Sequence, residues 1–129
     1  MTAQTGLQMQ STIKSECVLE LTVVEVPTPE PTPEEVVVRV EASPVNPSDL
    51  GLMFGAAEMS TAEASGSAER PVVKASVPEG RMRLVAGRVD VPMPIGNEGA
   101  GVVVAAGDGE LARSLMGKTV AIIGGAMYS

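Results

Sequence analysis

Two polar pairs interrupt a 129-residue chain that is otherwise rich in valine. In "SPVNPSD" (43–49) the amide of Asn46 precedes a proline, and Asp49 follows three residues later. In "PIGNEGAGVVVAAGDG" (94–109) Asn97 and Glu98 sit among glycines at the mouth of an apolar run. A carboxamide donates one hydrogen bond to an oxygen and accepts another, without the penalty of a buried charge. That chemistry suits either a turn or a site for a polar ligand. Local roles compete with the second. Asn46 ahead of Pro47 can close an Asx turn, and Asn97 and Glu98 can satisfy N–H groups buried around the glycine turn. Asp49 falls where the first turn of a helix favours negative charge, which argues for a cap or structural pair rather than an acid. Tyr128 carries the only phenol. A tyrosine late in a strand often packs its ring and leaves its tip wet.

Other chemistries are excluded by what the chain lacks. With no histidine, it can build neither a Ser-His-Asp nor a Cys-His nucleophile and offers no imidazole to a metal. Its single cysteine, Cys17, makes no intrachain disulfide and no thiolate zinc cage, and reads as an inert, half-buried residue. Its solitude fits a reducing cytoplasm. Nine basic and sixteen acidic residues give a net charge of −7, which repels a phosphate backbone, and no basic cluster offers an exception. No nucleic-acid partner is expected. The first thirty residues lack the pattern of a signal peptide. No apolar run approaches the roughly 20 residues needed to cross a bilayer, so a soluble, cytoplasmic protein without a membrane partner is expected.

The elements that would position the polar pairs are mostly strands. Nineteen valines stand against one Phe, one Tyr and no Trp, and β-branched side chains favour a pleated surface. Eight methionines fill gaps that aromatics would otherwise occupy. Period-two patterning predicts strands over 6–14, 17–26 and 34–42, the last with Val36, Val38 and Val40 facing one way and Val37 and Arg39 the other. "PTPEPTP" (27–33) is a stiff extended connection, with a proline-rich ligand for a partner as the alternative. "PSDLGLMF" (47–54) predicts a short helix with Asn46 or Ser48 near its N-cap. Residues 56–70, small and polar without a period, predict a mobile loop or weak helix. Short strands are expected at 71–77, 82–86, 88–93 and 99–107, then a helical turn over 108–117 ended by Gly117, and a buried strand at 118–125. Little helix and some seven short strands make a mainly β domain, a small barrel or sandwich. The length is that of one domain.

With these elements placed, three ordered segments carry a resemblance. "EVVVRVEASPVNPSD", "PIGNEGAGVVVAAG" and "LMGKTVAIIGGAMYS" resemble the N-terminal part of medium-chain dehydrogenase/reductases. More narrowly, they resemble the zinc-independent quinone oxidoreductases and enoyl reductases, over residues 6–55 and 94–129. The resemblance implies a GroES-like, partly open β-barrel with short helices that is incomplete without its Rossmann domain. It makes residues 1–129 the partial N-terminal catalytic domain. It implies NADP(H) as cofactor and transfer of hydride from NADPH to a quinone, enal or enone in the cleft between the domains. It places Asn46 beside the nicotinamide or the substrate carbonyl, as a catalytic and cofactor-binding residue. Asn97 is its cofactor-side neighbour, and Tyr128 becomes a candidate catalytic proton source. The zinc branch of the family uses a cysteine at the place of Asn46 and a histidine at the place of Asn97. A neutral amide is a poor zinc ligand beside those, so no zinc is expected.

The chain departs from that pattern in places. Enoyl reductases carry a tyrosine corresponding to the region of Ala57, and other quinone reductases an aromatic near Gly51; both are missing here. A proton must then come from water, from Tyr128 or from residues elsewhere. The stretch from Gly55 to Gly96 exceeds the family's usual loop, which predicts a hairpin insertion at about 56–93 over the cleft or a dimer face. A homo-oligomer stays open. "GNEGAG" opens a strand rather than a helix and so is not a dinucleotide fingerprint. The chain ends abruptly at "AMYS", so an N-terminal fragment of an oxidoreductase is expected, inactive alone, without its nucleotide-binding domain. The alternative is a stand-alone GroES-like β-barrel acting as a binding or assembly module, with "LGLMFGAAEMS" (50–60) as a mobile apolar loop for its partner.

Overall fold

The structure, a computed structural model, describes residues 4–129. It opens with a long antiparallel hairpin, β1 (Thr5–Lys14) and β2 (Val18–Pro27), in continuous register from Thr5 opposite Pro27 to Lys14 opposite Val18. The alternation read from the sequence sets its buried face. Ile13 and Leu19 are fully buried and Leu21 nearly so, and each such aliphatic stabilises by about 1.5–3 kcal/mol. Cys17, half-buried in the connecting turn, adopts a positive φ of 61°. The prolines of 27–33 lead to β3 (Val36–Ala42), and Asn46 then caps α1 (Pro47–Phe54).

The strand β4 (Glu58–Gly66) folds back on β5 (Pro71–Ser76), followed by a short helix α2 (Glu79–Met82) and a 3-10 helix (Arg83–Arg88). The two-residue β6 (Met93–Pro94) precedes β7 (Glu98–Ala106), helix α3 (Glu110–Ser114) and β8 (Thr119–Ile123). Two antiparallel sheets result: five strands in the order β4-β5-β2-β1-β6 and three in the order β3-β7-β8. The architecture is mainly β, and the sheets do not close into a barrel. Beside Ile13, Leu19 and Leu21, the core takes Ala75 and Val77 at the end of the hairpin and Ile95 before β7. Gly101 allows β7 to lie close on β3, because a Cβ there would strike the backbone carbonyl of Arg39.

Five local expectations are corrected. Residues 58–66 form neither a mobile loop nor a weak helix but an edge strand, exposed along its whole length. With solvent on both faces it has no reason to alternate, so its sequence carries no period. Between Glu58 and Glu63 its pairing is irregular, and Thr61 fills the gap. Its hydroxyl donates to the Glu58 carbonyl at 2.7 Å and accepts the Ser76 N–H at 2.8 Å. Residues 82–86 are helical, with Leu84 86% exposed. "PEGRM" has the proline and first-turn glutamate of a helix start, and that outweighs five alternating residues.

Residues 88–93 make only a bridge from Val89 to Ile13 and the start of β6. The strand β8 is not buried: it is an edge strand whose Ile123 is 90% exposed. The apolar stretch 50–60 is not a free loop either. Leu50–Phe54 are helical, and Ala56 and Ala57 are buried in the core. A partner-binding module built on that loop loses its mobile element.

Candidate functional site

The polar pairs meet at one rim. Asp49, in the first turn of α1, is wholly buried, and an unpaired carboxylate there would be expensive. It has three donors. The Asn46 N–H donates to its Oδ2 at 2.8 Å, the Asn97 N–H to its Oδ1 at 3.1 Å, and the Tyr128 hydroxyl approaches Oδ2 at 3.2 Å. The first of these is the backward arm of a capping box, in which the third helical residue satisfies the N-cap amide. The second ties the glycine turn before β7 to α1. The third brings in a segment 79 positions away in sequence.

Around this buried hub the exposed groups form their own contacts. The Asn46 side-chain amide donates to Glu98 Oε2 at 3.2 Å, and that of Asn97 to Ser48 Oγ at 2.9 Å. Ser43 donates to the Glu98 backbone carbonyl at 2.6 Å. Asn46 and Asn97 are half-buried, whereas Ser48 and Glu98 are open to solvent. Asn46, Asn97, Glu98 and Tyr128 thus gather around a carboxylate that the sequence marked as a helix cap or structural pair. The spacing Asn46-x-x-Asp49 was the signal for the cap. Nothing local marked Ser43 or Ser48 as neighbours of the other loop.

Tyr128 does not lie in a strand. After β8 the chain turns at Gly124–Gly125 and Ala126 (φ 76°), and Tyr128 then pairs with two other segments. Its N–H donates to the Ile95 carbonyl at 3.0 Å, and its own carbonyl accepts the Met9 N–H at 2.8 Å. The turn residue Gly96 has φ 102°, and a Cβ there would meet the Tyr128 backbone and ring. The Tyr128 hydroxyl, 3.1 Å from the Pro44 carbonyl, has one proton to share between that oxygen and Asp49. Burial, and then the hydrogen bond to Asp49 and its charge, push its pKa above the ordinary phenol value. Its resting form is the neutral hydroxyl.

Among the described residues, no three His, Cys, Asp or Glu side chains converge on a point. The rim offers two carboxamides, three hydroxyls and the exposed carboxylate of Glu98, a mixed set of hydrogen-bond donors and acceptors. Beside it runs an open groove of about 490 Å³ lined by Ser43, Pro44, Glu98, Ala121, Ile122 and Ile123 among others. A larger groove of about 880 Å³ separates β1 from β3, and none of Asn46, Asp49, Asn97 or Glu98 lines it. No described helix is long and apolar enough to cross a membrane. Residues 32–127, about three-quarters of the chain, match the family model of the alcohol dehydrogenase GroES-like domain. No curated protein matches the chain.

Proposed function

From the premise that the chain belongs to the alcohol dehydrogenase GroES-like domain family, we propose that it is the N-terminal catalytic part of a zinc-independent, NADPH-dependent oxidoreductase. Its substrate is a quinone or enone, and it works together with a Rossmann domain. The observation that carries this reading is the convergence of Asn46 and Asn97 on the single buried carboxylate of Asp49.

The donor set does not fit zinc. The chain has no histidine, its one thiol lies in the β1–β2 turn, and amides beside one carboxylate make a weak site for a borderline-soft cation. The rim does fit a nicotinamide carboxamide or a conjugated carbonyl. When bound, NADPH supplies the hydride. Asn46, anchored through Glu98, keeps its second side-chain N–H for an acceptor on the ligand. A preorganised amide of this kind stabilises charge on a carbonyl oxygen as it develops. Asp49 holds the two asparagines in register and contacts no ligand. Tyr128, kept neutral by its setting, retains a proton beside the rim. The groove next to Glu98 takes the apolar body of the substrate.

The test uses the product of the whole reading frame, assayed for NADPH consumption with a quinone. Asn46→Ala should lower kcat/KM by about 10²-fold, the usual loss for one oxyanion-type donor. Elemental analysis should find no stoichiometric zinc. Wild-type turnover in Asn46→Ala, or one bound zinc per chain needed for activity, overturns the reading.

A further inference from the structure

Arg88 is half-buried, and among the described residues it pairs with no carboxylate. It ends the 3-10 helix and reaches inward. One terminal nitrogen lies 3.0 Å from the Leu52 carbonyl and 3.4 Å from Ser11 Oγ, and its Nε is buried without a partner. Burial lowers its pKa, yet a guanidinium stays charged in proteins. A desolvated cation needs compensation, and the end of α1 supplies it. The last-turn carbonyls of a helix lack internal donors and carry partial negative charge. The sequence of α1 places no basic residue in that turn, so the cation arrives from a segment far along the chain. Arg81, from the same segment, donates to the Ala57 carbonyl at 3.2 Å just beyond the helix.

We propose that Arg88 is a positioning residue for the polar rim: by holding the carbonyl end of α1, it fixes the helix whose other end sets Asp49 between Asn46, Asn97 and Tyr128. The inference builds on the reading of that rim as the reacting site, but its test needs no substrate and fails or succeeds separately. Two physical routes connect Arg88 to the cluster. Leu52 lies three residues after Asp49, on the same side of α1. Ser11, buried in β1, lies two residues from Met9, whose N–H holds the Tyr128 carbonyl.

Tyr128 is the only tyrosine and there is no tryptophan, so an alkaline titration followed by phenolate absorbance reads this residue alone. In folded Arg88→Met the helix end is released and the contact of Asp49 with Tyr128 loosens. The titration midpoint should then fall by about 0.5 pH unit or more, toward an ordinary phenol. Arg88→Lys should recover part of the difference. A folded Arg88→Met that titrates like the parent, even if less stable, overturns the proposal, since Arg88 then supports only the fold. Should Arg88→Met fail to fold, Arg88→Gln keeps one N–H for Leu52. A smaller fall is expected there, and a parent-like midpoint again counts against the idea. Should neither fold, hydrogen exchange in the parent decides: the Gly55 amide, which closes the last turn of α1, must exchange as slowly as that of Asp49. Faster exchange at Gly55 overturns the proposal.

Discussion

Replacing Asp49 by Asn removes one charge and almost no volume, so its effect isolates the hydrogen-bonding role of the carboxylate. The wild-type group accepts from the Asn46 N–H, the Asn97 N–H and the Tyr128 hydroxyl while wholly buried. An asparagine at 49 has one acceptor oxygen, and its amide nitrogen must face at least one backbone N–H as a donor facing a donor. One buried N–H left without a partner costs about 1–3 kcal/mol, and loss of charge assistance in the remaining bonds adds to it. We expect Asp49→Asn to lower the unfolding free energy by about 3 kcal/mol, read from urea midpoints at neutral pH. The same variant removes the second and third causes of the raised Tyr128 pKa and leaves the first, burial, in place. A charge-assisted bond of about 1.5–3 kcal/mol, reduced by solvent at the rim, corresponds to a fall of about 0.5–1 pH unit in the Tyr128 titration. An Asp49→Asn protein that unfolds at the parental urea midpoint refutes the reasoning. So does a Tyr128 midpoint that does not move, because the carboxylate would then be a bystander.

Other outcomes follow from the same geometry. Tyr128 has a folded-state pKa above its unfolded value, so its contribution is complete below about pH 10 and is lost as pH rises through the raised value. Tyr128→Phe should flatten that alkaline limb of stability. Glu35 is depressed by the Thr32 N–H it accepts at 2.9 Å, and Glu25 first by the Thr5 hydroxyl and then by Arg70. Their contributions are present above about pH 4 and vanish as pH falls through the depressed values, so Glu35→Gln should shallow the acid limb. Gly101→Ala drives a Cβ into the Arg39 carbonyl and should cost about 1–3 kcal/mol. Gly51→Ala, which meets open space within α1, should instead gain about 0.5–1 kcal/mol. Thermal unfolding of the two variants side by side checks the contrast.

The sequence made the hairpin of β1 and β2 legible because Leu7, Met9, Ile13, Leu19 and Leu21 recur at even spacings along two long strands. The helix α1 was legible to the residue, since Asn46, Pro47 and Asp49 all favour a helix start. The strand β4 was hidden because neither of its faces is buried. The 3-10 helix was hidden because Leu84 and Val85 look like strand residues in a window too short to show a period. Asn46 and Asn97 could be singled out as candidates through the family resemblance of the segments that carry them. Their common partner could not. The contacts of Asp49 with Asn97 and Tyr128 are set by how α1, the turn before β7 and the segment after β8 pack, and no local spacing encodes them. Arg88 was silent for the same reason, as its acceptor is a backbone carbonyl in another element.

The cluster around Asp49 draws on stretches far apart in the chain, near residues 44–49, 95–98 and 127–128. During synthesis the β1–β2 hairpin can pair early, but the pocket for the Asp49 carboxylate stays unfinished until Tyr128 has left the ribosome and folded back. Until then the Asp49 carboxylate lacks its Tyr128 donor, and water takes that place. Completion of the rim is therefore a late event, tied to the docking of residues 127–128 on β1 and on the turn before β7.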